Sequence, residues 1–118
     1  MPYSMPSREI EECIRDCGEC SGVCIRTAHH CLHVGNAHAA PEHQGRIRDC
    51  AQICSTAVGF MARGSPYAAA ICRQCAEICA ACAEDCDKLA ENDGMMKHCA
   101  QVCRACAQSC ERMASVVV

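Results

Sequence analysis

The chain has 118 residues and carries sixteen cysteines, but only three aromatic residues and no tryptophan. Cysteine at this frequency, above the roughly 8–10% at which it defines a class of proteins by itself, excludes a conventional core of large aliphatic and aromatic side chains. The formal charge of −3 is modest and the basic residues are scattered, which argues against nucleic acid or an anionic membrane surface as partners. The length suits one domain over residues 1–118.

The amino terminus, MPYSMPSREIEEC, contains no apolar run. We therefore expect neither a signal peptide nor a membrane-spanning segment, and we predict a cytoplasmic protein. Thiols stay free in the reducing cytosol, so a cysteine-rich sequence there is typical of metal binding and not of a disulfide framework.

Turn and capping residues predict the first two helices. Ser7 is suited to cap the start of the first helix, and Gly35 to end it. Pro41 fits the first turn of the second helix, which Gly64 ends. These signals place the two helices at about residues 8–34 and 42–63.

Similar signals predict two further helices. Ser65 is an N-cap candidate with Pro66 at the first helical position, and Asn92 to Gly94 form a tight turn before the last helix. The third and fourth helices then cover about residues 66–91 and 95–115. Because the connections are short, neighbouring helices should be antiparallel, and the fold class is an all-α antiparallel four-helix bundle.

Cysteine recurs at intervals of three and four residues, which is the period of one helical face. The repeat C-x3-C-x2-C-x3-C occurs as CIRDCGECSGVC, CAEICAACAEDC and CAQVCRACAQSC. The second helix carries a degraded copy, CAQICSTAVGFM, with Ala57 and Met61 where cysteines would fall. Four such stripes facing inward predict a bundle interior lined by Cys13, Cys17, Cys20, Cys24, Cys31, Cys50, Cys54, Cys72, Cys75, Cys79, Cys82, Cys86, Cys99, Cys103, Cys106 and Cys110.

Three interpretations of these thiols compete. Buried cysteine can serve as a small apolar residue, but alanine or valine would fill the same space without sixteen reactive groups. Disulfides within a helix are disfavoured, because Cβ atoms one turn apart are about 5–6 Å from each other and a disulfide needs about 3.5–4.5 Å. A metal bound at about 2.3 Å by two thiolates spans roughly 4.5 Å between sulfurs, which thiols one turn apart can reach.

The charge of the ion favours Cu(I) over other metals. Several tetrahedral zinc sites would each leave about two negative charges buried, at several kcal/mol per ion. Iron–sulfur clusters take their thiolates from flexible loops, which this pattern lacks. Cu(I) is soft and singly charged and accepts two or three sulfurs, so many ions per chain can be held at about one per thiolate near electrical neutrality.

With these features the chain resembles the bacterial copper storage proteins, which are cysteine-rich four-helix bundles. The resemblance extends from Cys13 to Met113 and rests on the repeated C-x3-C pairs. It implies a homotetramer of bundles, a cytosolic location for members without an export leader, and loading by a copper chaperone or by small thiols through ligand exchange. The second helix departs from the pattern, since it has only two cysteines and Met61.

Histidines gather around the first connection of the bundle. His29 and His33 fall opposite the cysteine stripe and are expected at the surface. His43 lies seven residues before Cys50 and is therefore in register with the stripe. It is a candidate copper ligand or gate, and a capping or surface role is the alternative.

Methionines mark both ends of the predicted interior. Met61 and Met113 are in register with their cysteine stripes and are candidate ligands at the end away from the histidines. Met95 and Met96 open the fourth helix near His43. We favour the histidine end as the entrance for copper.

The predicted function is non-enzymatic storage and sequestration of Cu(I), because every thiol belongs to a repeated array and none stands out as a nucleophile. A thiol redox or iron–sulfur protein is one alternative, although a redox C-x2-C normally stands alone beside a strand. A zinc or general metal buffer is the other.

Overall fold

A computed structural model describes residues 7–116. Residues 1–6, which begin the stretch on which the expectation of no signal peptide rests, lie outside it, as do residues 117–118. Four α-helices make up the described chain: α1 (Arg8–Val34), α2 (Pro41–Ala62), α3 (Ala68–Ala90) and α4 (Gly94–Val116). A 3-10 turn over Asn36–Ala39 joins α1 to α2.

The helices form an up-and-down bundle with extents of 53 × 17 × 17 Å. Each helix packs against its neighbours in the sequence, and α1 closes the bundle against α4. The predicted all-α antiparallel four-helix bundle is confirmed. None of the helices within residues 7–116 combines the length and apolar character needed to cross a membrane.

The ends of α1 follow the capping signals in the sequence. Ser7 Oγ accepts a hydrogen bond from the N–H of Ile10 at 3.2 Å, which satisfies one of the free donors of the first turn. Gly35 ends the helix with a φ of 80°, a backbone conformation that favours glycine, and its N–H donates to the carbonyl of Cys31 at 3.0 Å.

The third helix begins later than predicted. Ser65 does not cap it; instead its hydroxyl accepts from the N–H of Tyr67 at 3.1 Å and its carbonyl from the N–H of Ala68 at 3.1 Å. These bonds close a tight turn that contains Pro66. The predicted start at residue 66 is therefore wrong by two residues, and α3 begins at Ala68.

The fourth helix begins one residue earlier than predicted. The Asp93 carboxylate accepts from the N–H of Met96 at 3.0 Å, so Asp93 is the N-cap and Gly94 is the first helical residue. The positive φ of this turn, 49°, falls on Glu91. Capping by Asp93 thus assigns Gly94 to the helix and not to the turn.

The interior consists mainly of thiols and small side chains. Every cysteine is at most 1% exposed, and the alanines at the helix contacts are also buried. Ile47 and Thr27 are among the few larger side chains that are completely enclosed. The bundle is therefore held together by a narrow core in which sulfur takes the place that leucine normally occupies.

Candidate metal centre

All sixteen cysteines are buried free thiols that face the bundle axis. They do so because spacings of three and four residues keep one helical face inward. Thiols one turn apart lie close together, with Sγ atoms 3.9 Å apart for Cys13 and Cys17 and 3.8 Å apart for Cys75 and Cys79. Two thiolates on one linearly coordinated ion would be roughly 4.5 Å apart, so a small rotamer change would admit the ion.

Sulfurs from different helices approach one another as closely as sulfurs on one helix. Cys54 on α2 illustrates this arrangement, because its Sγ lies 3.7 Å from Cys75, 3.5 Å from Cys79 and 3.7 Å from Cys106. One thiol of the sparsely substituted second helix therefore meets thiols of both α3 and α4. The cysteines form a continuous cluster and not four separate stripes.

Twelve of the thiols assemble into five sets, and within each set the sulfurs all lie within 4.8 Å of one another. We call these sets the preformed groups. They are Cys17/Cys75/Cys106/Cys110, Cys20/Cys50/Cys54/Cys79, Cys20/Cys24/Cys50/Cys103, Cys54/Cys75/Cys79/Cys106 and Cys13/Cys72/Cys110. Most of their members are shared between groups, so ions bound in adjacent groups would be bridged by common sulfurs.

A different set of donors lies at the histidine end. Cys31 Sγ is 3.2 Å from His43 Nε2 and 3.2 Å from Met96 Sδ. The other ring nitrogen of His43, Nδ1, is 2.7 Å from Asp85 Oδ2. A carboxylate that accepts from Nδ1 orients the ring and leaves the Nε2 lone pair available to a metal. We call Cys31, His43 and Met96 the outer site.

The outer-site thiol is protonated in neutral solution. Burial, followed by the charge of the nearby Asp93 carboxylate, raises the pKa of Cys31 to about 11. A metal that binds this sulfur must therefore displace its proton.

Comparison with known proteins assigns this cluster of thiols to a family. Residues 6–115 match the family described as Csp, copper storage protein.

The chain belongs to the copper storage protein family.

Three relatives show how far the similarity extends. The Cu(I)-bound copper storage protein BsCsp3 superposes with a TM-score of 0.83 at 34% identity, covering 91% of this chain and 99% of that chain. A structure of copper loading to a cytosolic copper storage protein from Streptomyces lividans, with five coppers, gives a TM-score of 0.81 at 27% identity, over 91% of this chain and 92% of that one.

The third is a Bacillus subtilis (strain 168) protein described as the uncharacterized cysteine-rich protein YhjQ. It is 35% identical over 67 residues, or 57% of this chain. The match covers 62% of that protein's own length. Membership of a family described as copper storage proteins points to a storage role and not to catalysis.

The remaining predicted donors of this copper storage family member are also enclosed. Met61 and Met113 are 3% and 1% exposed. His43 is 2% exposed, whereas His29 and His33 are at the surface, opposite the cysteines. The structure therefore places His43, Met61 and Met113 inside the bundle. Of these three side chains, His43 is the one with a described hydrogen-bonding contact to a sulfur, between its Nε2 and Cys31 Sγ.

Met96 was not predicted as a ligand, although it is completely buried and in contact with Cys31. The signal was present, since Met96 lies three residues before Cys99 and extends the stripe of α4 by one position. Met95, its neighbour in the chain, is exposed. Register with the cysteines therefore distinguishes the two methionines.

Proposed function

We propose that this chain stores Cu(I) on the thiolates of its sixteen cysteines inside the bundle, with His43, Met61 and Met113 as additional ligands. The main observation in support of this proposal is that adjacent preformed groups share sulfurs. Seven cysteines belong to two preformed groups each, namely Cys20, Cys50, Cys54, Cys75, Cys79, Cys106 and Cys110. Separate four-thiolate sites cannot all be filled from shared ligands, whereas a soft, singly charged ion that accepts two or three sulfurs suits a bridged cluster.

The electrostatics of the interior support the same ion. A four-thiolate zinc site carries about two negative charges, and each buried charge costs several kcal/mol. One Cu(I) per thiolate leaves the interior near neutrality at any level of loading. A zinc buffer is therefore disfavoured, and an iron–sulfur or thiol redox protein has no supporting feature among the described residues.

Competition between metals tests this function. Reduced protein mixed anaerobically with excess Cu(I) and Zn(II), then desalted, is expected to retain copper with little zinc, because only Cu(I) fits the shared sulfurs. Elemental analysis measures both metals, and protein with alkylated thiols is the control that should retain neither. The loaded solution should be colourless. Retention of zinc at one ion per four cysteines would support a zinc buffer, and a brown colour of the protein as purified, before metal is added, would support an iron–sulfur cluster.

We infer that copper enters at the histidine end. The outer site lies next to solvent-facing connections there, and Asp85 holds the His43 ring against Cys31. Nitrogen, thioether and thiol donors meet at this point, which suits transient binding of an arriving ion before all-thiolate storage.

Substitution of His43 by alanine should change how fast copper passes and leave the number of stored ions almost unaltered. Stopped-flow transfer from a coloured Cu(I) chelator would measure uptake, and transfer to a stronger chelator would measure removal. We expect a several-fold change in rate, since one donor of the outer site is lost. His29→Ala is the matched control, because His29 is exposed and faces away from the cysteines. Equal rates for His43→Ala and the control would point to the Met61 and Met113 end as the entrance.

We propose the cellular location, the copper donor, the lack of enzymatic activity and the oligomeric state from membership of the family. The chain acts in the cytosol, as the Streptomyces lividans relative is described to do, and it receives Cu(I) from a copper chaperone or a small thiol by ligand exchange. It has no enzymatic activity. It assembles as a homotetramer, for which Ile25 and Leu32 on the outer face of α1, 61% and 48% exposed, offer apolar contact surface.

A further inference from the structure

Four cysteines belong to none of the preformed groups, and all of them lie toward the histidine end. They are Cys31, Cys82, Cys86 and Cys99. Each is as deeply buried as the other twelve, so exposure does not distinguish them. Their position does, because Cys31 belongs to the outer site and the other three lie between it and the nearest preformed group, which contains Cys24 and Cys103.

The walls formed by α1 and α2 are interrupted in this region. On α1 the next cysteine after Cys24 is Cys31, with buried Thr27 between them. On α2 the position between Cys50 and His43 is taken by buried Ile47. Each interruption is seven residues long, or about 10.5 Å along the helix.

Copper cannot cross such a distance in one exchange. An ion moves between two sulfurs only when both can bind it at once, which requires a separation of roughly 4.5 Å. The hydroxyl of Thr27 and the side chain of Ile47 are poor ligands for a soft ion. Passage along α1 or α2 is therefore closed.

The opposite walls carry sulfur without interruption. On α3, Cys82 and Cys86 follow Cys79 at intervals of three and four residues, and on α4 Cys99 lies between Met96 and Cys103. Cys99 Sγ is 3.9 Å from Cys24 and 4.0 Å from Cys103, which joins this wall to the nearest preformed group.

Cys86 is adjacent in sequence to a residue that contacts the outer site. Its neighbour Asp85 makes the bond to His43. Contacts with the Cys82 and Cys99 thiols, together with burial, raise the pKa of Cys86. Cys82 and Cys86 are one helical turn apart on α3, and α3 packs against α4, which carries Cys99.

We propose that Cys82, Cys86 and Cys99 form a transfer track that carries Cu(I) from the outer site to the preformed groups, and that Thr27 and Ile47 confine the ion to the α3 and α4 wall. In each step an incoming thiol forms a bond to copper and gives up its proton, and the thiolate that releases copper takes up a proton, while Met96 and His43 release copper as neutral ligands. Copper remains Cu(I) throughout. The inference rests on the proposed storage of Cu(I) and on entrance at the histidine end.

Two matched double variants test the track. Cys82→Ser/Cys86→Ser should lower capacity by about two ions but slow uptake in stopped-flow transfer by at least about tenfold, since each lost relay position raises the barrier to exchange. Cys13→Ser/Cys72→Ser removes two thiols at the far end and should lower capacity equally, with uptake much closer to that of the unaltered chain. Equal slowing in the two variants would overturn the track. Failure of the unaltered chain to take up many copper ions would instead overturn the storage function.

A gain-of-function variant tests the same idea without removing a thiol. Thr27→Cys restores the spacing of three and four residues between Cys24 and Cys31 and should open a second path along α1. It should accelerate uptake by about threefold and recover most of the rate lost in Cys82→Ser/Cys86→Ser. Thr27→Ser keeps a hydroxyl of nearly the same size and should change neither rate. Failure of Thr27→Cys to rescue the double variant would show that the α1 interruption does not confine copper.

Discussion

Anaerobic titration of the reduced protein with Cu(I) against a chromophoric chelator is expected to saturate at about sixteen ions per chain, give or take a few from sharing and from methionine or histidine ligands. The reason is charge balance, since one Cu(I) per thiolate keeps the interior neutral as it fills. The sixteen buried thiols set the scale. A plateau near roughly four ions would instead indicate separate tetrahedral sites.

Two double variants make this test independent of the absolute count. Cys75 and Cys79 together belong to three of the four four-cysteine groups, whereas Cys24 and Cys103 belong to only one. If copper is held at one ion per thiolate, Cys75→Ala/Cys79→Ala and Cys24→Ala/Cys103→Ala should each lose about two ions. Tetrahedral sites predict a much larger loss for the first variant than for the second. Alanine suits a helix, so circular dichroism should show both variants folded.

Copper loading is expected to raise the thermal stability by at least about 15 °C, while the metal-free protein remains helical. An ion that binds only the folded chain stabilises it by about 4 kcal/mol at a thousandfold excess over its dissociation constant. For a domain of this length 1 kcal/mol corresponds to roughly 3–5 °C. Many sites act together, although thiols of the unfolded chain also bind copper and reduce the gain.

The expectation that the metal-free protein remains helical follows from the side chains of the core. The cysteines and alanines are enclosed as small apolar side chains, and such side chains can pack against one another without a metal, so we expect the helices to keep a packed interior before loading. Far-ultraviolet circular dichroism of the reduced apo protein should show high helix content, and removal of copper by a chelator should restore the apo melting curve. A metal-free chain that is mostly coil, or a loaded chain that melts within a few degrees of it, would contradict the preformed interior.

The positions of the helices were largely predictable because their end signals are local. Ser7 and Gly35 act through hydrogen bonds and backbone angles within one turn of α1. The predicted first residues of α3 and α4 were wrong, because more than one residue near each of these helix ends could act as the cap. Ser65 closes a turn rather than capping α3, and Asp93 caps α4 ahead of its predicted start. Composition does not rank such alternatives, because they differ by a single hydrogen bond.

The family and the inward direction of the cysteines were also predictable. Spacing of three and four residues places the cysteines of each helix on one face. With sixteen cysteines in a chain of 118 residues, these faces must line the narrow core of the bundle. The prediction of a copper storage protein is confirmed by the family match over residues 6–115. The roles of His43, Met61 and Met113 as ligands stay predictions.

The sequence by itself thus determined four helices, a thiol-lined interior and the preference for a soft, singly charged metal, because all three depend on residue type and on spacing along one helix. Only the tertiary structure decided which sulfurs meet. The relative rotation and axial shift of four helices are set by packing between them, and that packing places Cys54 against both α3 and α4. The same packing brings Met96 to Cys31 and encloses Thr27 and Ile47 at the positions where α1 and α2 lack a cysteine. Such contacts depend on the arrangement of all four helices at once.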